Sequence, residues 1–200
     1  MVNDTTPPET EVPWLTDGER GAWMTLISML MTLPAAIDAQ LKRDSGLNFF
    51  EYGILSALSR PAGRAVRMNA LALQAGGSAS RLSHAVSRLE RQGWVRRVVN
   101  TGEPRCTEAV LTKEGLAVLE AAAPEHVREA RRLVFDAIKP DQVPQLQEIS
   151  RRILQSCAPE IGEVLDRAIA DAAEVAALDR VMLDAAADSP CNEARCEEPA

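Results

Sequence analysis

Arg81, His84, Arg88 and Arg91 recur at i, i+3, i+7 and i+10, which at about 100° per residue gathers them on one face of a helix. Guanidinium groups arrayed in this way can neutralise phosphates and pair bidentately with guanine. The same row would also suit a solvated helix face, so its surroundings decide between the two. Leu82, Val86 and Leu89 at i, i+4 and i+7 form an apolar stripe on the other side of the helix. Ser78 stands where it can cap that helix or donate to a phosphate.

The preceding residues predict a shorter helix that begins at Asn69, buries Leu71, Ala72 and Ala75, and ends at Gly76 and Gly77. Beyond the arginine-studded helix, Gly93 permits a sharp change of direction. Trp94 to Val99 and Thr107 to Thr112 then read as two extended runs separated by Asn100-Thr101-Gly102-Glu103-Pro104. Two helices joined by a Gly-Gly turn and followed by a basic hairpin make a winged helix-turn-helix. Arg105 falls at the tip of the wing, where it can enter a minor groove or pair with Glu103.

Charge is strongly segregated. The 200-residue chain is acidic, with a formal charge of -7. Residues 60 to 105 nevertheless hold nine arginines against Glu90 and Glu103, a local charge of +7. Residues 160 to 200 hold three arginines against eleven carboxylates, a local charge of -8. A basic segment coinciding with a helix-turn-helix pattern is the footprint of a duplex-DNA reader. The acidic end suits a solubilising tail or added dimer packing, and also a segment that competes with DNA for the arginine face.

The flanking segments read as helices. Thr16-Asp17-Gly18-Glu19 has the form of a capping box and opens a long helix with Trp23, Ile27, Leu30, Ile37 and Leu41 at helical spacing, with a kink expected at Pro34. Its apolar stretch is expected to be too short and interrupted to span a membrane, and no signal-like start precedes it, which places the protein in the cytoplasm. Asn48-Phe49-Phe50-Glu51 repeats the capping box and turns Phe50, Ile54 and Leu58 inward, up to Pro61. Lys113 to Ile138 reads as another long helix, with Leu116, Leu119, Val127 and Val134 on its apolar side and a bend at Pro124. Asp141 starts a last amphipathic helix through Val143, Leu146, Ile149 and Ile153. The predicted organisation is a flexible arm over 1–15, a body over 16–158 whose reading head spans about 48–112, and a helical extension with a disordered tail over 159–200. With 46% apolar residues the chain can bury a body of this size.

Catalytic chemistry is poorly supplied. Two histidines, His84 and His126, and one tyrosine, Tyr52, are present, without a glycine-rich phosphate cradle or a nucleophile elbow. His126 reads as an exposed or dimer-packing residue on its helix. The cysteines Cys106, Cys157, Cys191 and Cys196 include no Cys-x-x-Cys pair, so neither a metal site nor any cofactor is expected. Cys106 beside Arg105 leaves a redox sensor as an alternative, and Cys157 reads as a small buried apolar residue. A winged-helix module binding an acidic protein is the alternative of another class.

The runs from Arg67 to Gly76, from Ser80-Arg81-Leu82-Ser83-His84 to Gly93-Trp94-Val95-Arg96-Arg97, and Ala109-Val110-Leu111-Thr112 together resemble the MarR family of bacterial transcription regulators. The resemblance covers about residues 15 to 158. It implies a mainly helical homodimer with interlocked terminal helices, two winged-helix lobes on successive major grooves of a near-palindromic operator, and repression modulated by a small aromatic ligand. On that reading Arg81, His84 and Arg88 contact base edges, Ser80 and Arg91 contact phosphates, and Ser78 and Arg105 assist from the helix start and the wing. Trp14, Trp23, Phe49, Phe50 and Tyr52 would lie near a ligand pocket, or serve as ordinary core residues. One departure is Glu103-Pro104-Arg105 at the wing, where the family often has an acidic residue followed by two arginines.

Overall fold

Apolar residues drawn from six elements converge on one core, which a computed structural model describes for residues 12–99 and 107–172. The predicted arm up to residue 11, the wing tip with Arg105 and Cys106, and the tail from 173 lie outside the described residues. In chain order the elements are α1 (Asp17–Ser45), α2 (Phe49–Ser59), β1 (Ala65–Arg67), α3 (Met68–Gln74), α4 (Ala79–Arg91), β2 (Val95–Val99), β3 (Thr107–Leu111), α5 (Lys113–Leu133) and α6 (Val143–Cys157). Short 3-10 turns at Phe135–Ala137 and Pro140–Gln142 join α5 to α6, and residues 159–172 are helical. The fold is mainly α, with a small antiparallel sheet in the order β1-β3-β2.

Local capping starts the helices where the sequence predicts. Thr16 and Asn48 each close a complete capping box, with Glu19 and Glu51 respectively. The Arg81 backbone N–H donates to Ser78 Oγ at 3.2 Å, which starts α4. Leu82, Val86 and Leu89 are buried beside Ile54, Leu55 and Leu58 of α2, Leu71 of α3, and Val95, Ala109 and Leu111 of the sheet. The wing strands run antiparallel, with Val95 opposite Leu111 and Val99 opposite Thr107.

Several expectations are corrected. Strand β1, unforeseen in the sequence, pairs Ala65 with Val110 and Arg67 with Glu108. Because Arg67 is still extended there, it becomes the N-cap of α3, which begins at Met68 without a side-chain cap; Asn69 Oδ1 accepts only from its neighbour Ala70 N–H. Helix α5 ends at Leu133 rather than Ile138, since the Val134 backbone leaves the helical region. The helix α6 begins at Val143, after the 3-10 turn that holds Asp141. Pro34 and Pro124 lie inside helices that continue through them.

The long helices bury less than their spacing suggests. In α1 only Ile37, Gln40 and Leu41 are buried, whereas Trp23 and Leu30 are exposed. Nothing on α6 is buried, Ile149 and Ile153 included, and Val127 of α5 is exposed. By length and composition α1 is long and apolar enough to cross a membrane, contrary to expectation. The reason is that its few charges cluster at its two ends, leaving an uninterrupted apolar middle.

Two glycines permit close packing. A Cβ on Gly77, in the turn between α3 and α4, would lie 2.6 Å from Cζ of Phe50. A Cβ on Gly115 would collide with the Trp94 carbonyl oxygen, where α5 leaves the wing. The Thr112 hydroxyl donates to that same carbonyl at 3.0 Å and accepts from Gly115 N–H at 3.0 Å, so the helix start cannot easily withdraw. Gly115→Ala is expected to cost about 1–3 kcal/mol or more in urea unfolding. Gly53→Ala, with nothing within 4 Å of the added methyl, should instead gain up to about 1 kcal/mol.

Candidate nucleic-acid interface

Burying Leu82, Val86 and Leu89 forces the opposite side of α4 outward, and Ser78, Ser80, Arg81, His84, Arg88 and Arg91 are all exposed. The structure therefore brings together six of the seven predicted contact residues; the seventh, Arg105, lies outside the described residues. His84 and Arg91 make no side-chain hydrogen bond or ion pair among the described residues. The Arg81 guanidinium lies over the Phe50 ring, 4.2 Å from its centroid, a cation–π contact that orients a long side chain. Phe50 is thus held between the Gly77 turn and Arg81.

Arg88 does not present a free guanidinium, as the sequence reading expected. Its Nε donates to Glu51 Oε1 at 2.6 Å and its Nη2 to Glu51 Oε2 at 2.7 Å. The Glu51 side chain is only 2% exposed, and its Oε2 also accepts from Asn48 N–H at 3.1 Å. Arg97 of β2 is likewise engaged. Its Nη1 donates to Glu90 Oε2 at 2.6 Å, and its Nη2 to the Ser83 carbonyl at 2.9 Å and to Ser87 Oγ at 3.1 Å, which clasps the wing to α4. The basic segment is therefore less positive toward solvent than its composition suggests. Glu51 was legible as a capping residue, but nothing local marked it as the partner of Arg88.

The first turn of α2 is also tied to α1. Phe49 N–H donates to Asp38 Oδ1 at 2.9 Å, and Lys42 Nζ lies 2.7 Å from Asp38 Oδ2. The Lys42 hydrogen bond, followed by that of the Phe49 amide, holds the Asp38 carboxyl below its ordinary 3.8.

Beside this junction is a groove of about 800 Å³ whose lining includes Met31, Pro34, Phe49, Tyr52, Arg60 and Arg81. Phe49, Phe50 and Tyr52 therefore line a common space, as expected of a pocket. Trp14 and Trp23 do not, because both stand exposed at the N-terminal end of α1 and its approach, remote in sequence from the stretch around Asp38 that reaches the groove. Cys157 is exposed rather than buried, since α6 buries nothing in the protomer.

His126 of α5 lies behind the groove, its ring 4.3 Å from that of Tyr52 and 6.2 Å from that of Phe49. Its Nδ1 is buried without a hydrogen-bond partner. Burial pushes the imidazole below its ordinary 6.5 and the Tyr52 hydroxyl above 10.0.

A compact head whose capped helix offers a basic outer face, flanked by a two-stranded wing and carried on long helices, defines a winged helix-turn-helix DNA-binding protein. Among solved structures, Sco3205, a MarR family transcriptional regulator from Streptomyces coelicolor in complex with DNA, is 41% identical; the match covers 75% of this chain and 94% of that one, with a TM-score of 0.72. AbsC, a MarR family regulator from the same organism, is 35% identical over 72% of this chain and 96% of that one, with a TM-score of 0.67. The PcaV regulator of Streptomyces coelicolor, at 18% identity over 71% of this chain and 97% of that one, shares the fold, with a TM-score of 0.60. No family model matches the chain, and no curated protein matches it in sequence. The protein belongs to the MarR family of transcriptional regulators.

The histidine gives this region a measurable pH signature. Below 6.5 the unfolded chain takes up a proton that folded His126 resists, so stability falls as pH drops from 6.5 through the lower folded value. His126→Phe is expected to remove that part of the slope in urea unfolding measured at a series of pH values. An unchanged slope would assign it to other groups.

Proposed function

We propose that the protein regulates transcription as a homodimer that reads a near-palindromic operator in double-stranded DNA, acting as a repressor in the cytoplasm. The observation that carries this reading is the exposed face of α4, capped by Ser78 and anchored by three buried side chains, in a chain 41% identical to a regulator solved on DNA. Arg81 and His84 are suited to base edges in the major groove, Ser80 and Arg91 to phosphates. Ser78 stands at a helix N-terminus that favours an anion, and Arg105 would serve from the wing.

Dimerisation is supported by the apolar residues that one protomer leaves uncovered. Trp23, Met24, Leu30 and Met31 of α1, Ile149 and Ile153 of α6, and Leu165 and Ile169 beyond it are all exposed. A second copy would cover more of this surface than water tolerates uncovered, which also accounts for an apolar α1 without invoking a membrane. The groove lined by Phe49 and Tyr52 suits a small aromatic ligand. Because Arg81 of the reading helix is among its lining residues, an occupant there would act on the DNA-binding face by favouring one lobe arrangement over another.

Selection from a random duplex library at a stated salt concentration tests the reading. The expected product is an inverted repeat with half-sites about one helical turn apart. Retention without sequence enrichment would favour a protein partner. On the selected duplex, Arg91→Ala should weaken binding to all sequences alike and reduce the slope of log K against log salt by about 0.9.

A further inference from the structure

Glu51 is the one buried carboxylate in the described core, and it spends its two oxygens on three donors. It closes the α2 capping box through Asn48 N–H and grips the Nε/Nη2 edge of Arg88. An ion pair this deep is a weak source of stability, because desolvating the carboxylate offsets much of the attraction. Its geometry is nevertheless restrictive, since two parallel N–H···O bonds fix both the distance and the rotation of one helix relative to another. The pair joins α4 to the same first turn of α2 that Asp38 ties to α1. The long helix and the reading helix thus meet through one turn of backbone.

We propose that Glu51 and Arg88 are positioning residues for DNA reading: the pair sets the rotation of α4 against α2 and withdraws the Arg88 charge from DNA, leaving Ser80, Arg81, His84 and Arg91 to make the direct contacts. This rests on the DNA-binding reading above and assigns Arg88 a different part in it. An arginine already neutralised by a buried carboxylate displaces no counterion from DNA, so the salt dependence of binding separates the two roles. A residue that served only the stability of the fold would alter neither that slope nor the preference for one duplex.

The test uses the full chain and compares wild type, Glu51→Gln, Arg88→Ala and the neutral pair Glu51→Gln with Arg88→Gln, on the selected operator and on a random duplex across a range of salt. Glu51→Gln retains an acceptor for Asn48 N–H and frees the Arg88 charge. It is expected to steepen the salt slope by up to about 0.9, to tighten binding to random duplex, and to cut the preference for operator by about tenfold. Arg88→Ala and the neutral pair should keep the wild-type slope while losing preference. The neutral pair guards against Arg88→Ala unfolding through its stranded carboxylate, and thermal unfolding reports which variants are folded. The proposal is overturned if the neutral pair flattens the slope by as much as Arg91→Ala does, or if Glu51→Gln changes neither slope nor preference. A wild-type protein that prefers no duplex would instead bring down the DNA-binding reading, and this proposal with it.

Discussion

Helix α4 can bury only one side, and most of the molecule is arranged around that constraint. With Leu82, Val86 and Leu89 sealed against α2, α3 and the sheet, the polar side has nowhere to go but outward. A basic outer face is then set by packing on the inner one. Ser78 supplies the missing partner for a free amide at the helix start, and Gly93, in the left-handed region at φ 77°, releases the chain into the wing. The wing in turn closes back on α4 through Arg97, so the reading helix is held at its ends and along one flank.

Electrostatics refines this arrangement more than composition implies. The nine arginines between residues 60 and 105 look like a uniform positive patch. Two of them are paired with carboxylates, Arg88 with Glu51 and Arg97 with Glu90, and serve the placement of helix and strand. A third, Arg81, is steadied by an aromatic face rather than by an acid, and so keeps its charge for other uses. His84 and Arg91 complete an outward set that differs from the bare i, i+3, i+7, i+10 row.

The first turn of α2 connects the parts. Within four consecutive residues, Asn48 to Glu51, the chain caps a helix, receives Asp38 from α1, supports Arg81 with the Phe50 ring, and binds Arg88. The groove beside it is lined by Phe49, Phe50 and Tyr52 and reaches Arg81. Any change in how α1 lies on the reading head has to pass through this turn, which gives a regulator of this family a short physical route between its long helices and its DNA face.

By itself the sequence determined what depends on near neighbours: the capping boxes at Thr16 and Asn48, the Ser78 cap, and the division of α4 into apolar and basic sides. Each is settled within about one or two helical turns, where residue type and spacing are enough. Tertiary structure alone decided the rest. Strand β1 exists because three residues find β3 more than forty positions away, and Glu51 meets Arg88 across 37. The start of α3, the clasp of Arg97, and the exposure of Trp23, Ile149 and Cys157 were likewise decided by which surfaces meet. A helical period states which residues share a face, but not whether anything in the same protomer covers it.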